Sequence, residues 1–172
     1  MFEQGSLLFI RDFDFSTIDG SLSKINSFRD KYLLVIDNIG NTSIFCCFTT
    51  TLRNEKLFHS MAKVGCNKTP YKYHIFHFEP KVVVTDKQFT FPDLTFIAGN
   101  KGQIFEYDLP LLCSKYKLKG QIIHKGNLSK ELLFDIIYCL HNSPTIDKYL
   151  RDDLFNIGDQ IQNEIQRAQE NP

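Results

Sequence analysis

Tryptophan is absent from this 172-residue chain, methionine occurs twice, and neither sign of charge is in excess, with twenty Lys and Arg against twenty Asp and Glu. The even charge balance argues against a histone-like or tail-driven nucleic-acid binder, whose affinity comes from a large positive surplus. A local basic site remains open. No apolar run approaches the roughly 18 residues needed to cross a bilayer. The opening residues, Met1-Phe2-Glu3-Gln4-Gly5, lack the basic and apolar regions of a secretory signal, so the expectation is a cytoplasmic protein that does not engage a membrane. The five cysteines, Cys46, Cys47, Cys66, Cys113 and Cys139, form no C-x-x-C pair and are expected to be buried, reduced thiols. A glycine-rich phosphate loop, a G-x-S-x-G elbow and a histidine–glutamate zinc motif are all missing, and no cofactor is expected. There is no internal repeat and no low-complexity tract.

What is present is a chain 42% hydrophobic and 23% charged, consistent with one globular domain or one domain with an appendage. Sixteen phenylalanines and seven tyrosines point to an aromatic core, which suits β structure. Apolar runs at residues 7–10, 32–36 and 43–49 read as strands, the last two as a hairpin around Asn38, Gly40 and Asn41. Residues 16–30 read as a polar loop, 52–61 as a short helix and 65–70 as a loop. Strand candidates follow at 71–78, 81–85, 88–91, 94–98, 103–107 and 119–124, and short strands at this spacing indicate an antiparallel barrel or sandwich. Asp108 with Pro110 opens a helix running to about Tyr116, and Ser129 caps another with Leu132, Leu133, Ile136, Ile137 and Leu140 on its apolar face. Beyond Pro144, Leu150, Leu154, Ile157, Ile161 and Ile165 form a coiled-coil-like stripe that must be buried against the barrel or a second copy.

Taken in order, these parts resemble the MazF/PemK family of toxin endoribonucleases. The resemblance rests on Gly5-Ser6-Leu7-Leu8-Phe9-Ile10 with Asp12-Phe13-Asp14, on the strand 32–36 after a loop, and on Phe45-Cys46-Cys47-Phe48-Thr49-Thr50. It continues with Gln103-Ile104 and Asp108-Leu109, then with Gly126-Asn127-Leu128-Ser129-Lys130-Glu131 leading into a helix. It covers residues 5–51 and 94–141. It implies a mostly β, α+β fold: an SH3-like barrel of antiparallel strands over residues 1–144, with an insertion at about 52–93 and a helical extension at 145–172. It also implies a homodimer that cleaves single-stranded RNA without metal and is held in check by a protein antitoxin. The chain departs from the family where Lys31-Tyr32 replaces an Arg-Pro pair, with Arg29 two residues earlier. Two other readings stay open: a catalytically inactive binding module on the same barrel, and a toxin that acts by binding a protein such as gyrase.

Cleavage by the ribose 2′-hydroxyl needs a base, an acid for the leaving oxygen and cations or donors on the phosphoryl oxygens. The family's phosphate-handling arginine and threonine map by position to Lys31, with Arg29 as an offset substitute, and to Thr49. RNA contacts are expected at Thr50, Lys115, Lys117 and Lys119. Each has a plainer alternative. Arg29 and Lys31 could solvate a strand mouth, Thr49, Thr50 and Thr51 could serve strand propensity or cap a helix, and Asp12 and Asp14 could be turn residues rather than a base. Lys115, Lys117, Lys119 and Lys125 with His124 are the one basic concentration, either a phosphate track or a solvated face. The alternation of rings and polar residues at 71–78 suits base stacking or an ordinary half-buried strand. His74 and His77 lie an odd number of residues apart, on opposite strand faces, so no metal site is expected.

Overall fold

The structure is a computed structural model that describes residues 2–14, 28–49, 63–70, 72–100, 102–117 and 119–170. The expected helix at 52–61, the loop residues 16–27 and Thr50 lie outside the described residues.

The fold is mixed α+β, with antiparallel strands curled into a half-barrel sheet. Among the described residues, eight strands take part: β1 (Ser6–Asp14), β2 (Phe28–Ile39), β3 (Thr42–Thr49), β4 (Gly65–Lys68), β5 (His74–Phe78), β6 (Thr95–Ala98), β7 (Ile104–Asp108) and β8 (Ile122–Asn127). Their order is β4-β5-β6-β3-β2-β1-β8, with β7 also pairing with β3. Strand β3 forks: Thr42 to Cys46 pair with β7, and Phe48 and Thr49 pair with β6. Helix α1 (Leu109–Leu112) runs into a wider turn at Cys113–Lys117, and α2 (Lys130–His141) and α3 (Lys148–Glu170) complete the chain.

Because side chains alternate across a strand, the sheet carries two apolar layers. One joins Leu7, Leu34, Ile36, Phe48, Phe76 and Ile97 to the inner faces of α2 and α3. The other joins Leu8, Ile10, Phe13, Leu33, Val35, Phe45 and Cys47 to Leu109, Leu112 and Tyr116. The stripe of α3 enters the first layer, burying Leu150, Leu154, Ile157 and Ile161 beside α2. Both expected caps form: Asp108 Oδ1 accepts from the Leu111 N–H at 2.6 Å, and Ser129 Oγ from the Leu132 N–H at 3.2 Å. Each is worth about 1 kcal/mol.

Several expectations are corrected. Residues 28–30 belong to β2 rather than to a loop, and 65–68 form β4 because they pair with His74 to His77. Residues 81–85 and 88–91 share one bridge, Val83 with Thr90, and no regular ladder extends from it; Lys81 before the bridge and Gln88 after the turn at Asp86-Lys87 take positive φ. The strand expected at 119–124 begins later, at Ile122, after a turn at Lys119-Gly120. Cys66 and Cys139 are not thiols but a disulfide, with Cα atoms 5.4 Å apart. The rings of β5 do not face out for stacking, since Ile75, Phe76, His77 and Phe78 are buried on both faces of the strand.

Candidate functional site

Strand register decides whether the residues nominated for phosphate meet. On β1 and β2, Ile10 lies opposite Lys31 and Phe13 opposite Arg29, with an irregularity between them where Asp12 takes φ 51°. On β2 and β3, Leu33 lies opposite Cys47. Lys31 and Thr49 are each two residues further toward the same end of adjacent strands, on the face that Leu33 and Cys47 share. Continued by alternation beyond Leu33 and Cys47, the register keeps both side chains on one face of the sheet. Both are half-buried, and Arg29 is exposed at the rim. The Lys31 charge reaches the Cys47 thiol: burial pushes that thiol up to about 11 while the ammonium pulls it down.

Thr49 pairs with Phe96, and Phe96 on its other side with His77. Thr49, Phe96 and His77 therefore make one row across three strands, with His77 on the same face as Thr49. The His77 ring lies edge-on to Phe96, 5.9 Å between centroids, and its Nδ1 is 3.3 Å from the Lys63 carbonyl oxygen. From sequence, His77 reads as a rejected metal ligand and as part of a base-stacking or half-buried strand, not as a neighbour of Thr49. Its alternation within 75–78 was legible, but the partner strand that aligns it with Thr49 was not. Among the described residues, no three His, Cys, Asp or Glu side chains gather in a way that could hold a metal ion.

The three lysines nominated for RNA do not form a single line. The wider turn after α1 carries Tyr116 inward against Phe13, 5.6 Å between ring centroids, and its hydroxyl oxygen accepts from the Asp14 N–H at 2.9 Å. Lys115 beside it donates to Asp14 Oδ2 at 3.2 Å. Burial would lower the Lys115 pKa, but bonds to Asp14 and Tyr116 outweigh it and hold the ammonium charged. Lys115 thus reaches the Arg29 end of β1 and β2 with its charge already met by a carboxylate. Lys117 turns the other way, its Nζ 5.7 Å from the centre of the Phe2 ring, and Lys119 is exposed in a turn. Of the two candidate bases, Asp14 is engaged by Lys115, while Asp12 donates its N–H to Asp30 Oδ1 at 3.1 Å and sits in the exposed irregularity of β1.

Away from this end, a cleft of about 310 Å³ lies between α2 and α3, lined chiefly by Phe134, Ile137, Tyr138, His141, Leu154 and Phe155. Its His141 Nδ1 bonds the Arg151 carbonyl oxygen at 3.0 Å, an arrangement that secures the helix pair. Compared with models of known families, with curated proteins and with solved structures, the chain has no match.

Proposed function

We propose that this chain is a divergent member of the MazF/PemK group, built on an SH3-like barrel, that cleaves single-stranded RNA without metal. The observation that carries the reading is the register placing Lys31 and Thr49 on one face, at one end of neighbouring strands, with Arg29 at the exposed rim. In this reading the ribose 2′-hydroxyl gives up its proton to solvent water as its oxygen attacks the adjacent phosphorus, the 5′-oxygen leaves and takes a proton from water, and a 2′,3′-cyclic phosphate results. Lys31 neutralises the phosphoryl oxygens as charge builds on them, Thr49 donates its hydroxyl to one of them, and Arg29 holds the neighbouring phosphate. Single-stranded RNA is the substrate because unpaired bases can be splayed onto a protein surface. A homodimer and a restraining protein antitoxin follow from the same reading.

A binding module on the same sheet is the second reading. It is favoured by the lysine at the family's arginine position, since an ammonium supplies charge without the bidentate grip of a guanidinium. Labelled single-stranded RNA incubated with the purified chain in excess chelator separates the two. Cleavage by the parent, lost in both Lys31→Ala and Thr49→Ala while each keeps its fold, supports the nuclease. RNA bound but uncut at every protein concentration selects the module.

A further inference from the structure

Strand β8 meets β1 with Leu7 opposite Gly126 but Leu8 opposite His124, which makes Lys125 the extra residue of a β-bulge. Bulges re-aim side chains. Gly126 takes φ +109°, and a Cβ there would collide with Asp86 Oδ1 and the Thr85 side chain, so the bulge depends on glycine. The bulge sends Lys125 across two rings, its Nζ 5.6 Å from the centre of Phe9 and 5.5 Å from that of Phe89. Tyr32 completes the group, 4.9 Å from Phe9 and 5.4 Å from Phe89 between centroids. All three rings are half-buried rather than sealed.

A second cation, Lys87, is held at the neighbouring position of β8, where His124 lies opposite Leu8. Lys87 Nζ is 3.3 Å from His124 Nδ1, and because an ammonium only donates, that ring nitrogen accepts. The other, Nε2–H, donates to Asn127 Oδ1 at 3.2 Å, which fixes the ring. Neither Lys87 nor Lys125 is within ion-pair distance of a carboxylate among the described residues, in contrast to Lys115. Two acids are near: Asp86 is occupied by the Asn127 N–H at 2.8 Å, and Asp30 lies on the Tyr32 side. A lysine set over half-buried rings, with no carboxylate in ion-pair distance among the described residues, matches a ligand that alternates negative charge with flat apolar surface. Unpaired nucleotides have that chemistry, while a duplex hides its bases.

We propose that Phe9, Tyr32 and Phe89, with Lys125, form a stacking platform for single-stranded RNA, on the sheet face opposite Lys31 and Thr49. The proposal rests on the RNA-directed reading above and adds a second contact to it. Alternation separates the two sites, since Phe9 and Tyr32 flank Ile10 and Lys31 on the same strands but point the other way.

The test measures fluorescence anisotropy of a labelled 2′-O-methyl oligouridine of about twelve nucleotides, a length within known single-strand site sizes. The 2′-O-methyl group removes the nucleophile, so binding is read without cleavage. Phe89→Leu, which stays apolar, is expected to weaken binding about 5- to 100-fold. Lys125→Gln is expected to weaken it and to reduce the salt slope by about one. Thermal melting of both variants checks that the fold is intact. Binding unchanged in both variants overturns the platform, as does equal affinity for a duplex of the same length, equal displacement by heparin from parent and variants, or failure of the parent to bind. Cleavage of unmodified RNA by the parent and by Lys31→Ala judges the nuclease separately. Cleavage lost in Lys31→Ala, with Phe89→Leu and Lys125→Gln binding like the parent, sinks the platform and keeps the nuclease. A parent that binds without cleaving, with both variants weakened, does the reverse.

Discussion

Cys66 on the edge strand β4 is joined to Cys139, buried on the inner face of α2 and 73 residues away in sequence. The bond ties the outermost of the described strands to the helix packed against it. A disulfide typically stabilises by about 2–4 kcal/mol, in the chain-entropy account by restricting the unfolded chain. For a domain of this size, reduction should lower the melting temperature by about 4–16 °C. Thermal melts with and without dithiothreitol check this. Cys66→Ser should melt like the reduced parent and ignore the reductant, and identical parent melts in both conditions would refute the link in solution.

Leu154 is fully buried where α3 crosses α2 and the sheet. Leu154→Ala should cost about 2–5 kcal/mol, because it removes a buried side chain and leaves a cavity where its contacts were. Phe155, 59% exposed on the next position, should tolerate alanine with less than about 1 kcal/mol lost. Urea unfolding of the two variants checks the contrast. Equal effects would mean that α3 is not seated by its stripe.

These contrasts mark what could be read in advance. The stripe of α3, the caps at Asp108 and Ser129, and the strands built from 7–10 and 32–36 were legible because periodicity and capping chemistry are local. Gly65-Cys66-Asn67-Lys68 has no apolar pattern and is a strand only because β5 pairs with it, and such pairing is non-local. The same limit hid the disulfide, whose pairing cannot be deduced from spacing. It also hid the alignment of Thr49 with His77 through Phe96, and the bulge that carries Lys125 over Phe9 and Phe89. For Lys31 and Thr49 the residue types were visible, but their shared face depends on a register set by Leu33 and Cys47.

Cys46 and Cys47 are buried thiols as expected, and their chemistry follows from burial. Burial, and then the neighbouring Cys47, push Cys46 well above the ordinary thiol value, and burial pushes Cys47 up to about 11 despite Lys31. At pH 8 a thiol reagent should react quickly with at most one of the three free cysteines, the half-buried Cys113, and with all three in denaturant. The sign of the pH effect follows: the folded chain keeps these protons to higher pH than the unfolded chain, whose thiols titrate near 9.0. Their contribution to stability is therefore complete below about pH 9 and is lost as pH rises toward 11. Urea midpoints measured from pH 7 to 11 should fall in that window, less steeply in Cys47→Ala. Rapid labelling of two or more thiols in the native state would contradict the packing of β3.

Lys31 offers a test that separates charge from geometry. If its role is to neutralise a phosphoryl oxygen, Lys31→Ala should reduce cleavage by about 100-fold or more, the scale of removing one transition-state donor. Lys31→Arg keeps the charge and adds a planar fork that can hold two phosphate oxygens. Cleavage by the arginine variant should then equal or exceed that of the parent, with the gain in kcat rather than KM if the fork engages only the transition state. Thr49→Ser, which keeps the hydroxyl, should retain cleavage that Thr49→Ala loses. Single-turnover assays in chelator, alongside melting temperatures, supply both readouts. An arginine variant as inactive as Lys31→Ala while folded would mean that the position needs lysine's shape, for instance in packing beside Cys47, and that the phosphate is handled elsewhere.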